Sequence, residues 1–282
     1  MLGLSPRHAT QHPGDIVSEH YDTTTTILPP PPLRVARESI PAKGVAGNSL
    51  PHQSFANLDL GDADFRGCNL SMADFRGAQL EGAKFEGADL SGAQFQDAIL
   101  SGALFTDARL VYAGFTGARV DEATFTRAFM HHADFRKVSA RGARFTWSRL
   151  MHATLYGAQC SGADFTGACL RFADCRHADL SFATFEFADA PSVKLTSASL
   201  RGGLLVNANF DGAFFGGAAF TASTFGHTVI TNSHDLERTI GLATISHVAP
   251  SSLDVMTYRR LRELLPATFL VGLGIDAADE SV

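Results

Sequence analysis

Long apolar runs are missing from this 282-residue chain. None approaches the roughly 18 residues that would cross a bilayer, so no membrane-spanning segment is expected. The opening stretch, MLGLSPRHATQHPGD, has neither a continuous apolar core nor a cleavage-like site, which argues against a secretory leader. Cysteine is scarce: Cys68, Cys160, Cys169 and Cys175 show no metal-type spacing. Cys160 and Cys175 fall on positions assigned below to the interior, which fits buried thiols in a reducing cytoplasm. Gly-rich phosphate loops, metal-ligand sets and nucleophile–base groupings at motif spacing are also absent. The chain is therefore expected to be no enzyme and to need no cofactor.

What the chain has instead is a five-residue beat. From Phe55 to Ile230 all 36 positions whose number ends in 0 or 5 are apolar, sixteen of them Phe and thirteen Leu. Two residues before these anchors stands Ala in 27 of the 36 cases. A helix would rotate successive anchors by about 140°, and a continuous strand would alternate their faces. The chain must therefore bend once per repeat. Four bends close a square coil of 20 residues, and coils stacked at roughly 4.8 Å form a solenoid about 43 Å tall from nine of them. Ala is demanded beside each anchor because a second large side chain would overfill the square. Gly67, Gly77, Gly82 and Gly87 stand two places after an anchor, where a tight corner calls for positive φ. Anchors from Phe55 to Phe145 taken every tenth residue are all Phe, so Phe should line two opposite walls and Leu the other two.

Runs such as Ala63-Asp64-Phe65-Arg66-Gly67, Ala88-Asp89-Leu90-Ser91-Gly92 and Ala163-Asp164-Phe165-Thr166-Gly167 carry a resemblance to the pentapeptide-repeat family. The resemblance implies an all-β fold, a right-handed quadrilateral parallel β-helix with Leu, Phe and Ala inside. The aspartates before anchors, Asp64, Asp74, Asp89 and Asp134, then serve backbone groups rather than acid catalysis.

Three regions are expected. Residues 1–50, with Thr23 to Thr26 and Pro29 to Pro32, read as a disordered or polyproline tail. The β-helix occupies 53–230. Residues 231–282 read as a helical cap, with Ser233 as an N-cap, a turn from Asp235 to Ile240, and Gly241 as its stop. A second helix should start at Ser251 or Ser252, carry Leu253, Met256, Leu261 and Leu264, and end before Pro266. This tail resembles a segment that follows pentapeptide repeats in many bacterial proteins, through Gly241-Leu242, His247, Pro250 to Asp254, Leu264-Leu265-Pro266 and Phe269-Leu270-x-Gly272-x-Gly274. Its expected role is to shield the end of the solenoid, with a docking adaptor as the alternative.

Columns of 20 expose one unusual wall. Two places after the anchors Leu110, Met130, Leu150 and Leu170 stand Tyr112, His132, His152 and Phe172. Val111, His131, Met151 and Arg171 flank them on one side, and Arg109, Phe129, Arg149 and Cys169 on the other. Trp147, Tyr156, Phe182 and Phe187 are outward aromatics near the same level. Contiguous exposed apolar side chains mark contact surfaces, for which Tyr, Trp, Met and Arg are favoured. A tail or cap folded over the patch would serve equally. A metal set of His131, His132 and His152 is disfavoured, because no carboxylate joins it.

Charge is uneven. Residues 55–130 hold eleven acids against six Lys or Arg, whereas 131–230 hold seven against nine, with Arg136, Lys137, Arg141, Arg144 and Arg149 clustered. The favoured function is a non-enzymatic scaffold binding a protein partner or a second copy through the aromatic wall. The alternative, implied by the family branch that mimics DNA, is a protein that binds DNA gyrase and protects it from poisons. Nucleic-acid binding is opposed by a net charge of −6.

Overall fold

The computed structural model describes residues 46–275, all within the compact unit Pro32–Val282. The expected tail therefore lies, up to residue 45, outside the described residues. Parallel bridges join every fifth residue i to i+20, from Ser49 with Asn69 through to Phe214 with His234. Two-residue turns interrupt the chain every five residues, so each 20-residue span closes as a four-sided coil. The result is a parallel β-helix. Its first bridge, at Ser49, lies upstream of the expected start at residue 53.

The corners explain the repeat. At one of them the Ala73 N–H donates to the Leu70 carbonyl (3.0 Å) while Met72 has φ 60°. That is type II turn geometry, whose third residue must take positive φ. Gly67 and Gly77 fill this place without strain. Beside the corners the aspartates serve the backbone as expected: Asp64 Oδ1 accepts from the Arg66 N–H (3.2 Å), and its carboxylate pairs with the Arg66 guanidinium (2.6 Å). Asp74 and Asp134 hold Arg76 and Arg136 in the same way, and Asp89 holds Ser91.

The interior is a column of anchors and alanines with almost no exposure. Phe115 is representative. It stacks on Phe95 (4.8 Å) and Phe135 (4.6 Å) one coil to either side, and meets Phe105 and Phe125 edge-on from the opposite wall (6.1 and 6.0 Å). Both arrangements suit the ring quadrupole. One stack continues through Phe145, Phe165 and Phe185 at 4.9 and 5.1 Å. On the facing wall Leu155 and Cys175 replace Phe, and the edge-on contacts cease after Phe135 with Phe145. The thiols of Cys160 and Cys175 are buried here, and burial pushes the Cys160 pKa up to about 12.

The last full coil is lined by Phe210, Phe215, Phe220 and Phe225, joined in sequence by ring contacts of 6.1, 5.4 and 5.5 Å. Here short strands form: β1 (Leu204–Val206), β2 (Thr224–Gly226) and β3 (Ser246–His247), parallel and in that order. The bridge interval lengthens one residue at a time. Phe214 pairs with His234, Ala219 with Ile240, Thr224 with Ser246 and Val229 with Ser252.

The cap differs from its expected details. Ser233 is buried and caps nothing; Asp235 takes the N-cap position of a 3-10 helix, Leu236–Arg238. Gly241 is not a stop, since with φ 83° it opens a second 3-10 helix, Leu242–Thr244. Ser251 and Ser252 extend the ladder instead of capping a helix. The Ser251 Oγ accepts from the Thr228 N–H (3.1 Å), and the Ser252 N–H donates to the Thr228 carbonyl (2.8 Å). Helix α1 (Val255–Leu261) is capped by Asp254, whose Oδ1 accepts from the Thr257 N–H (2.8 Å). Its buried side is Thr257, Tyr258 and Leu261, continued by Leu265 in the turn that follows, so Met256 on the helix and Leu264 in that turn are exposed. Helix α2 (Ala267–Gly272) follows Pro266 directly and seats Phe269 on Phe225 (6.4 Å).

Candidate functional site, an aromatic wall

The bridge ladder fixes which outward residues share a surface. Arg109, Phe129, Arg149 and Cys169 are bridged in sequence and form one column. Val111, His131, Met151 and Arg171 form the next, two residues on. Beyond them the corner residues Tyr112, His132, His152 and Phe172 stack face to face, with centroids 4.9, 5.0 and 5.1 Å apart and planes within 11°. The spacing is that of the coils, so the backbone pitch sets it. All four rings project from corners with φ of 58–59°, where bulky L-residues are rare. Such a conformation costs on the order of 1–2 kcal/mol per residue relative to glycine. It recurs at corners all along the coil, from His52 and Asn57 to Ala222, so it belongs to the repeat, and the large rings upon it are what is particular to this wall.

The opposite border of the same wall is the neighbouring corner, which carries Trp147 and Phe187, also at positive φ. Tyr112 and Trp147 are 65% and 59% exposed. Between the borders the Arg149 guanidinium lies over the Phe129 ring, 4.7 Å from its centroid. Burial lowers the His131 pKa from its ordinary value, and the charge of Arg149, His132, His152 and Arg109 lowers it further.

Not every expected residue belongs here. Phe182 stands half a coil from Phe172, on the diagonally opposite corner, with its ring over Gly202. Tyr156 faces the next wall, where it meets His177 edge-on (5.2 Å) and Arg176 (5.6 Å). The set of His131, His132 and His152 does not converge as a metal site, because the rings of His132 and His152 lie parallel and face to face. Among the described residues no group of three or more His, Cys, Asp or Glu is placed to hold a metal. Two ion pairs on the wall escaped the sequence reading: Arg127 with Asp107 (2.7 Å) and Arg171 with Asp189 (2.6 Å). Separations of 20 and 18 residues were the signal for them. Met72, folded over Gly92 at the foot of the ring ladder, was also missed.

The 20-residue coil, the Ala and Phe or Leu interior and the type II corners find their counterpart in a known repeat. The family described as Pentapeptide repeats matches in eight copies, over residues 54–93, 88–127, 128–159 and 158–196. The chain belongs to the pentapeptide-repeat family. Membership implies the right-handed β-helix. Among solved structures, this pentapeptide-repeat protein is similar to HetL, described as involved in heterocyst differentiation regulation, from the cyanobacterium Nostoc sp. strain PCC 7120. That likeness has 26% identity and a TM-score of 0.54, covering 71% of this chain and 91% of that one. A trypsin-treated QnrB1 variant, described as a plasmid-mediated fluoroquinolone resistance protein, is 20% identical with a TM-score of 0.42, over 82% of this chain and 99% of that one. No curated protein matches the chain. Among the described residues no helix is long and apolar enough to cross a membrane.

Proposed function

We propose that this protein is a non-enzymatic scaffold that binds another protein, or a second copy of itself, through the wall between the Tyr112–Phe172 ladder and the Trp147–Phe187 corner. The observation that carries the reading is the ladder: four rings stacked face to face on successive corners, where the repeat elsewhere carries glycine or mostly small and polar residues. Rigid, exposed aromatics beside Met and Arg are the composition of binding hot spots. Replacing Tyr112, Phe129 and Phe172 together by Ser leaves the interior untouched, so the variant should fold. It should lose partner capture from a cell extract or self-association in sedimentation. Retention of both behaviours would remove the proposal.

The gyrase-binding alternative draws on one observation, the excess of eleven acids over six basic residues in 55–130. Its test is a supercoiling assay with purified gyrase and a fluoroquinolone. Protection that survives the triple Ser substitution would favour it over the scaffold.

A further inference from the structure

We infer that the wall accepts an acidic amphipathic helix of a partner protein, lying along the coil axis; this rests on the scaffold reading above. Charge complementarity points to the occupant. From Asp107 to Phe172 the wall carries four guanidinium groups. Arg127 and Arg171 are neutralised by Asp107 and Asp189. Arg149 lies over Phe129, and Arg109 donates only to Ser91 Oγ (3.2 Å); neither has a carboxylate partner among the described residues. Asp89, next to Arg109 in the ladder, binds Ser91 instead. The wall thus presents two cations without a direct carboxylate contact, Arg109 reaching Asp89 only through the Ser91 hydroxyl, with apolar surface between them.

Spacing selects a helix. Arg109 and Arg149 are two coils apart, about 10 Å at the 4.9 and 5.0 Å pitch of the flanking rings. Residues i and i+7 of an α-helix lie about 10.5 Å apart on one face. Acidic side chains at those two positions would meet the two arginines, and apolar ones at i+3 and i+4 would rest on Phe129 and Met151. The ring ladder and the Trp147 corner border the strip that such a helix would occupy, as apolar walls border helices in groove recognition. Single-stranded nucleic acid fits less well. Bases need free aromatic faces to stack upon, and here the faces of His132 and His152 are covered by their neighbours in the ladder.

The test uses the full chain and a labelled helical peptide of 20 or so residues, with Glu at i and i+7 and Leu at i+3 and i+4, against a scrambled peptide of the same composition. Binding is read by anisotropy and by the emission of Trp147, the only tryptophan of the chain. The matched peptide should bind roughly tenfold more tightly than the scrambled one, and a variant with Arg109→Glu and Arg149→Glu should lose that preference. A peptide with Lys in place of Glu should bind the charge-reversed variant, which also shows that the variant is folded. Equal binding of the two peptides overturns the inference, as does an oligothymidylate that binds more tightly than the matched peptide. So does a dimer in sedimentation that the two Glu substitutions dissolve. If the Glu substitutions leave partner capture intact while the triple Ser substitution abolishes it, the helix is wrong and the scaffold reading stands. If neither set of substitutions matters, both fail.

Discussion

The ring of Trp147 lies across the backbone of Gly167 one coil further on, so closely that a Cβ on Gly167 would collide with its Cε3. Gly167 also has φ +63°, a conformation that disfavours any L side chain. Gly167→Ala should therefore lift the indole off the wall and cost about 1–2 kcal/mol. Because Trp147 is the only tryptophan, a red-shifted emission reports the first effect and a urea titration the second. An unchanged spectrum would show that the ring does not rest on this corner.

Removing one interior ring should be far more costly. Phe115 touches four other phenyl rings and is fully buried. Phe115→Ala is expected to lose about 3–5 kcal/mol in urea denaturation. Since each coil contacts only its neighbours, the loss should broaden or split the transition rather than merely shift it. A sharp, unshifted transition would contradict the stacked core.

Thiol chemistry offers a check on the interior. Burial raises the pKa of both Cys160 and Cys175, whereas Cys169 is half-buried on the wall. In the folded protein at pH 8 an aromatic disulfide reagent should modify Cys169 within minutes and leave Cys160 and Cys175 intact until denaturant is added. Peptide mapping distinguishes them.

The cap should weaken in mild acid. His247 sits against Phe225 (6.0 Å) and Phe269 (5.7 Å) with neither ring nitrogen partnered, and burial lowers its pKa below 6.5. The folded chain thus binds this proton less readily than the unfolded one. The stability is present above about pH 6.5 and is lost as pH falls through the folded pKa. The melting midpoint should drop between pH 7 and 5, and His247→Leu should reduce that drop. His131, also lowered, titrates in the same window but on the wall, so its effect persists in the variant.

The β-helix was legible because its rule is local and repeated: one anchor and one Ala per corner, with the column period set by arithmetic. The wall was legible to the same degree, since Tyr112, His132, His152 and Phe172 fall in one column of 20. Phe182 was grouped with them by height alone, and height does not distinguish one corner from the opposite one. The cap was less legible. Ser251 and Ser252 have the chemistry of helix caps, but the open edge of the last coil claims their backbone first, and Asp254 inherits the cap. No local propensity announces that competition.

The lengthening of the final bridges, from Phe214 with His234 to Val229 with Ser252, has a consequence for assembly. A coil of constant perimeter is a template: whatever lies above it can repeat the same outline without limit. By adding one residue at each successive side, the chain makes its last outline differ from that of the regular coils below it, and α1 and α2 then occupy that mismatched rim. A regular 20-residue coil set on that rim would not stay in register with it, so the rim is a poor template for further stacking.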